Sequence, residues 1–350
     1  MINVLIVDDS LTTREYLKQI INSDPVLRIA GEAKNGEEAV VLTESKNPDI
    51  VIMDIQMPGI NGYEATRSIM EKCPVPIIVH STLFAPEQTE NIFKAMKAGA
   101  VAVSQKPPGI GHPDSKHLVK KLLKTIKLMS EVKVIRLIKQ KTKRHVKEHL
   151  HQKVSAKAGS QVEIIAIGAS TGGPPVLQSI LSNLKTDFTI PIMIVQHIAN
   201  GFLEGMVEWL SKTTPIPLKI PKAGERVKSG YIYFAPEDHQ VGITASHNFH
   251  IHKTFNDNNL KRPINYLFSS VAQTYKKKSI GILLTGMGSD GAVGLKEMKT
   301  KKAITIAQDS ESCVVFGMPK EAIKLDAATY ILSPPDITAF LNKISRDLRK

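Results

Sequence analysis

The feature that most constrains this chain is a pattern that recurs along it. A short apolar run stops at a polar or glycine-rich cluster, and an amphipathic stretch precedes the next run. In the first third the runs occupy residues 4–7, 50–53, 77–79 and 100–103. Asp8 and Asp9 follow the first, Asp54 the second, Ser81 and Thr82 the third, and Lys106 lies just beyond the fourth. Strands that are apolar on both sides must be covered on both faces, and helices between parallel strands supply that cover. The pattern predicts an α/β chain. It also predicts where chemistry would sit, because the carboxyl ends of parallel strands share one edge of the sheet and ligands bind there.

The pattern returns after residue 160. VEIIAIGASTGGPP, IPIMIVQH, SIGILLTGMGSDGAVG and AITIAQD each read as a strand running into a turn. A chain of 350 residues has room for two domains at roughly 100–200 residues each. The second is expected to be a doubly wound, mostly parallel α/β domain. Between the two, Leu118, Val119, Leu122, Leu123, Ile126 and Met129 recur at helical spacing and suit a last helix of the first domain. Residues 133–151 are more polar, and QKVSAKAGSQ after them reads as a linker. The expected layout is a first domain over 1–130, a basic helical linker over 131–160 and a second domain over 161–350.

The formal net charge of +13 raises the question of a nucleic-acid partner. Its distribution argues against one. Residues 1–111 carry 10 Lys and Arg against 14 Asp and Glu, residues 112–160 carry 14 against 3, and residues 161–350 carry 22 against 16. The excess is therefore concentrated between the two sheets. Aromatics for base stacking make up only 5%, with Trp209 the only tryptophan. No nucleic acid is expected. Cys73 and Cys313 lie far apart with no ligand spacing, which excludes a disulfide framework and suits a reducing compartment. The opening MINVLIVDDS has no basic segment and is cut short by Asp8 and Asp9, so it is not a signal peptide. The longest uncharged stretch, residues 164–184, is broken by Gly, Pro, Ser and Asn and is no membrane span. A cytoplasmic protein, not embedded in a membrane, is expected.

At the edge of the first sheet, Asp8, Asp9 and Asp54 would repel one another unless a cation sat among them, and oxygen ligands favour Mg²⁺. A lysine and a hydroxyl beside such a cluster suit phosphoryl transfer. Asp54 would attack a phosphoryl donor, Lys106 and the metal would stabilise charge on the transferred oxygens, and Ser81 could hydrogen-bond the phosphoryl group. The bland alternative is that acids after strands merely cap the next helices. The full set in order favours the first reading. In LIVDDS, VIMDIQMPGING, Ser81 and the QKP at Lys106, residues 1–111 resemble the receiver domain of two-component response regulators. The resemblance implies a flavodoxin-like, five-stranded parallel sheet, a phosphoacceptor at Asp54, metal-binding acids at Asp8, Asp9 and Asp54, a switch pair in Ser81 and Lys106, and a histidine kinase as phosphodonor. The aromatic often found three residues before the lysine is Val103 here.

In the second domain, Ser170 sits on a tight turn, Gly168 to Pro174, that leads into a helix whose first N–H groups could hold an oxyanion. A phosphate loop would need a lysine that the turn lacks, and a plain N-cap serine is the structural alternative. His197 ends the next run; alone it could equally be a hydrogen-bonded structural residue. Gly286 to Gly291 satisfies G-x-G-x-x-G, and Asp309 closes the following run at the spacing of a ribose-binding acid, so dinucleotide binding is a rival. Against it, Asp290 would place a carboxylate where a pyrophosphate should lie. Ser170, His197 and Asp290 together are the inventory of a nucleophile, its base and the base's orienting carboxylate. Their chain order differs from that of the α/β-hydrolases.

IGASTGGP, QHIANGF, LTGMGSDGAVG and the QDSESCVVFGMPKEAI of residues 308–323 resemble the catalytic domain of the chemotaxis protein-glutamate methylesterases, the CheB family. The resemblance implies hydrolysis of glutamyl methyl esters on the cytoplasmic helices of chemoreceptors, with methanol released; many members also deamidate receptor glutamines. It assigns Ser170 as nucleophile, His197 as base, Asp290 as its partner and the Thr171 and Met287 N–H groups as oxyanion donors. It implies no cofactor for the esterase reaction. It further implies that the unphosphorylated receiver limits access to Ser170 and that phosphorylation relieves this. Two motifs depart from the family: APG-x-x-H is APEDH at 235–239, and RPS-V-D is Arg262, Pro263, Ile264, Asn265 and Tyr266.

Three further features receive no catalytic role. His145, His149 and His151 lie among basic residues that disfavour a cation. His247, His250 and His252 alternate as strand residues do. Cys313 lies in SCVVF, which reads as an apolar strand with a buried thiol.

Overall fold

A computed structural model of the chain describes residues 1–81, 86–109, 112, 113, 115–132, 134, 162–198, 201–253 and 262–348. Most of the basic stretch expected to link the domains, with His145, His149 and His151, lies outside the described residues, as does Thr82. The chain divides into two compact units, Met1–Lys141 and Thr142–Lys350. Among the described residues no helix is long and apolar enough to cross a membrane.

The first unit is built on β1 (Ile2–Val7), β2 (Leu27–Ala33), β3 (Ile50–Asp54), β4 (Ile77–Ser81) and β5 (Ala102–Gln105). All neighbours are parallel, in the order β2-β1-β3-β4-β5. Every residue of β3 and β4 is buried, as strands covered on both faces require. The helices α1 (Leu11–Asn22), α2 (Gly36–Lys46) and α3 (Gly62–Lys72) start where Ser10, Asn35 and Asn61 each cap a backbone N–H three residues on. α4 (Pro86–Lys97) and α5 (Ser115–Met129) complete the cover, and α5 turns Leu122, Ile126 and Met129 inward. The last strand starts at Ala102 rather than at residue 100. Ala100 still closes α4, donating to the Ala95 carbonyl at 3.0 Å after Gly99 at φ +109°. The chain lays β2 on one side of β1 and β3 on the other, so the order reverses between β1 and β3.

Among the described residues, the main sheet of the second unit has seven strands: β6 (Ile164–Ala169), β7 (Ile192–Gln196), β8 (Leu218–Lys219), β9 (Ile232–Phe234), β12 (Ser279–Leu283), β13 (Ile304–Gln308) and β14 (Tyr330–Leu332). Their order is β14-β13-β12-β6-β7-β9-β8, and every adjacent pair is parallel. An antiparallel hairpin, β10 (His239–Ile243) and β11 (Phe249–Lys253), stands apart from the sheet. Its Val241 and Phe249 pack into one core with Ile264, Phe268 and Val271 of the helix Pro263–Thr274 and with Leu283 of β12. Truncating a ring such as the fully buried Phe268 costs about 3–5 kcal/mol in such a core. The chain lays β7 beside β6 on one side and later returns to place β12 on the other. The order therefore reverses between β6 and β12.

SCVVF is not a strand. Residues 312–315 form a turn-rich loop, and the pairing to the sheet edge that a strand would make is reduced to an isolated bridge from Phe316 to Gly286.

Candidate active sites

In both sheets the reversal of strand order opens a crevice at the carboxyl edge, and the polar residues singled out in the sequence stand at those edges. In the first unit Asp8 follows β1 and Asp54 ends β3. Carboxylate oxygens of Asp8, Asp9 and Asp54 lie within 4.8 Å of one another. Lys106, just past β5, inserts its ammonium between two of them, at 2.7 Å from Asp8 Oδ2 and 2.8 Å from Asp54 Oδ2. The other Asp54 oxygen accepts the Ile55 N–H at 2.7 Å, and Asp8 Oδ1 accepts the Ser10 N–H at 3.0 Å. Burial pushes the Asp54 carboxyl above its usual range; Lys106 opposes that rise and Asp8 adds to it. Burial also pulls Lys106 down, but Asp54 and Asp8 outweigh it and its ammonium is held charged. Ser81 is the buried last residue of β4, and its carbonyl accepts the Lys106 N–H at 3.0 Å. The donor set is hard oxygen with one cation, which fits a divalent ion such as Mg²⁺.

In the second unit β6 delivers Ser170 into a turn that is held tightly from both sides. The Ser170 N–H donates to the Thr285 carbonyl at 3.0 Å, and its carbonyl accepts the Gly173 N–H at 2.8 Å. Gly172 takes φ +76°, and a Cβ there would fall 2.5 Å from Val314 Cβ. Only glycine satisfies both demands. β7 delivers His197 beside the turn. Its Nδ1 lies 3.3 Å from Ser170 Oγ, and its Nε2 lies 2.9 Å from Asp290 Oδ2. With the imidazole proton on Nε2, shared with the carboxylate, Nδ1 offers a lone pair to the serine hydroxyl. The ring thus faces its partners the opposite way round from the chymotrypsin template, in which Nε2 meets the serine.

Asp290 is buried in the glycine turn after β12 and is held by more than the imidazole. Its Oδ2 accepts the Ile264 N–H at 3.1 Å, and its Oδ1 accepts the Asn265 N–H at 3.0 Å. Asn265 Oδ1 in turn accepts the Gly294 N–H at 2.9 Å. The departure at 262–266 thus supplies backbone donors to the carboxylate. Glu237, the departure in APEDH, accepts the Gly201 and Leu203 N–H groups at 2.6 and 2.7 Å and ties down the segment after His197. Sequence reasoning missed these supports because backbone N–H groups carry no side-chain signature. It also missed Gln196, whose Nε2 donates to the Ser170 carbonyl at 2.9 Å and the His197 carbonyl at 2.7 Å. Its one signal was its place next to His197.

Thr171 follows Ser170 in the chain, and Gly286 approaches Ser170 so closely that a Cβ on it would lie 2.6 Å from Ser170 Cβ, which brings the peptide between Gly286 and Met287 beside the serine. Neither N–H donates to a protein acceptor among the described residues. Asp309 is occupied otherwise than a ribose-binding acid would be: its Oδ1 accepts the Ser312 N–H at 2.9 Å and hydroxyl at 2.5 Å. Cys313 is half-buried, and burial pushes its thiol up to about 12, which disfavours a thiolate nucleophile.

The two sheets and their edges define a class of protein, a response regulator whose receiver precedes an α/β effector domain. Comparison with known families narrows this. A model described as CheB methylesterase matches residues 165–341, and one described as response regulator receiver domain matches residues 4–113. A protein-glutamate methylesterase/protein-glutamine glutaminase of Nitrosospira multiformis is 42% identical over 344 residues, 98% of this chain and 97% of that protein. Another of the same description, from Syntrophus aciditrophicus, is 42% identical over 346 residues, 99% of each. The crystal structure of the Thermotoga maritima CheB methylesterase catalytic domain matches with a TM-score of 0.50 and 38% identity, over 52% of this chain and 98% of that one. The chain belongs to the CheB methylesterase family, with a response regulator receiver domain ahead of its methylesterase domain.

Proposed function

We propose that this protein hydrolyses glutamyl methyl esters on the cytoplasmic helices of chemoreceptors, releasing methanol, and that phosphorylation of Asp54 raises this activity. The observation that carries the first part is the chain of contacts Ser170 Oγ, His197 and Asp290 at the switch point of the second sheet. Ser170 Oγ attacks the ester carbonyl while His197 Nδ1 takes the hydroxyl proton. The negative charge that develops on the carbonyl oxygen is met by the Thr171 and Met287 N–H groups. The C–O bond breaks, His197 returns the proton to the departing methoxide, and methanol leaves. Water, activated by the same imidazole, then hydrolyses the glutamyl-serine ester and regenerates Ser170. With a glutamine in place of the ester the same cycle releases ammonia, which accounts for the second activity in the relatives' description.

In the receiver, Asp54 accepts a phosphoryl group from a histidine kinase. Asp8, Asp9 and Asp54 would hold Mg²⁺, which would neutralise charge on the phosphoryl oxygens. Lys106 and Ser81 then take up the modified aspartate. The esterase cycle draws on protein groups alone, and the protein is read as cytoplasmic, between 1–130 as receiver, 131–160 as linker and 161–350 as esterase. Methanol release from methyl-labelled receptor membranes tests the reading. The wild type should release label and Ser170→Ala should not; label release by Ser170→Ala at the wild-type rate would refute the nucleophile.

A further inference from the structure

One motif is left without a chemical role, the stretch from Gln308 to Phe316, and it converges on a single hydroxyl. Thr285 follows β12 and has no exposed surface. Besides accepting the Ser170 N–H through its carbonyl, it places Oγ1 3.0 Å from the Thr171 carbonyl and 3.2 Å from the Val315 carbonyl. The same oxygen accepts the Val315 N–H at 2.9 Å. The Thr285 N–H is itself held by Gln308 Oε1 at 2.8 Å, and Gln308 Nε2 donates to the Ser312 carbonyl at 2.9 Å.

The 315–318 segment then grips the glycine turn. Gly286 donates to the Val315 carbonyl at 3.0 Å, and its own carbonyl accepts the Gly317 and Met318 N–H groups at 3.1 and 2.9 Å. The Gly286 carbonyl and the Met287 N–H belong to one planar peptide unit, so fixing the carbonyl fixes the direction of the N–H. Val314 packs on Gly172 of the nucleophile turn. Two turns that are far apart in sequence are thereby joined through one side-chain oxygen.

We infer that Thr285, held by Gln308 and the 312–317 segment, is a positioning residue that sets the oxyanion-binding N–H groups of Thr171 and Met287 against Ser170. The inference rests on the reading of Ser170 as nucleophile. It assigns the motif at 308–317 to geometry rather than to substrate contact, so its loss should act on the chemical step and leave binding alone.

The test compares Thr285→Val, which keeps the shape and removes the hydroxyl, with Thr285→Ser, which keeps the hydroxyl. Both are measured for kcat and KM in methanol release from labelled receptor membranes, beside Ser170→Ala. Thr285→Val should lose on the order of 10- to 100-fold in kcat with KM little changed, since small misplacements at a reacting centre cost up to about 10²-fold. Thr285→Ser should recover most of the rate. A Thr285→Val enzyme with wild-type kcat, an equal loss in Val and Ser variants, or a loss confined to KM would each overturn the inference. An inactive Ser170→Ala beside a fully active Thr285→Val overturns this inference alone; an active Ser170→Ala overturns the nucleophile reading with it. If Thr285→Val does not fold, Ser312→Ala serves instead, because it removes the hydroxyl oxygen that accepts from Gln308 Nε2 at 3.1 Å: a kcat several-fold lower supports the clamp, and an unchanged kcat contradicts it.

Discussion

The two units solve the same topological problem and put opposite chemistry on it. Each is a parallel sheet whose strand order reverses once, between β1 and β3 in the receiver and between β6 and β12 in the esterase domain. At the first reversal stand three carboxylates, two of them bridged by Lys106. At the second stand one carboxylate, one imidazole and one hydroxyl, on turns rich in glycine. In the proposed function a phosphoryl group and a metal would bring charge to the first site, and side chains would have to balance it. An ester is neutral and develops charge only in the transition state, so the second site needs fixed backbone N–H groups close to the reacting oxygen. The glycines follow from that need: a backbone can approach a reacting centre only where side chains do not stand in the way.

The sharpest way to break this contrast is at the nucleophile. Ser170→Ala should lower methanol release by about 10⁴-fold or more, and Asp290→Asn should cost on the order of 10⁴-fold, because the imidazole then loses the partner that selects its tautomer. If either variant kept even a tenth of the wild-type kcat, the second edge would not be a triad. Gly172→Ala should act next, since it meets both a positive φ and Val314 at 2.5 Å. It should cost about 1–2 kcal/mol in backbone strain before the clash is counted, read by denaturant unfolding, and depress kcat as well. The matching change in the receiver, Gly59→Ala, meets the same strain at φ +75° but only the Glu37 carboxylate at 3.2 Å, so it should cost less. Equal costs would show that strain alone, without the Val314 contact, decides the turn.

A further effect, spread over several pH units, concerns acid stability. His80 is buried in β4, and its imidazole is pushed down to about 3, chiefly by burial, with Lys106 adding to it. Below about pH 6.5 the unfolded chain protonates this histidine while the folded chain does not, so the unfolded state binds more protons. Stability should therefore fall as pH drops from 6.5 towards 3, by up to about 1.4 kcal/mol per pH unit from this group. His80→Leu should flatten the acid limb of receiver unfolding by about that slope. Parallel curves for variant and wild type would mean that His80 titrates as an exposed imidazole does.

Much of this was legible in the sequence because the strands that carry chemistry are the central ones. β1, β3, β4, β6, β7 and β12 are buried on both faces and read as apolar runs, and the polar site residues either end them, as Asp54 and Ser81 do, or follow in the next turn, as Asp8, Ser170, His197 and Asp290 do. β2 was not legible as a run because it lies at an edge, with only Leu27 and Ala33 buried. The loop at 312–316 read as a strand because Val314, Val315 and Phe316 are apolar; Val314 packs on Gly172 of the nucleophile turn, and Val315 and Phe316 meet Thr285 and Gly286 through their backbone instead of extending the sheet. Ser170, His197 and Asp290 could be named from motifs, but their mutual geometry rests on Gln196, Thr285 and the Ile264 and Asn265 N–H groups. These act through backbone contacts between segments far apart in the chain, which no local pattern records.

In the proposed function, phosphorylation at the charged edge governs ester hydrolysis at the neutral one. The most direct measurement is the initial rate of methanol release from methyl-labelled receptor membranes, with and without acetyl phosphate and Mg²⁺, for the wild type and Asp54→Asn. The wild type should gain activity on addition of the phosphodonor, a tenfold gain corresponding to about 1.4 kcal/mol of shifted equilibrium, while Asp54→Asn should keep its basal rate and gain nothing. A wild-type rate unmoved by the phosphodonor, or an equal rise in Asp54→Asn, would contradict the account.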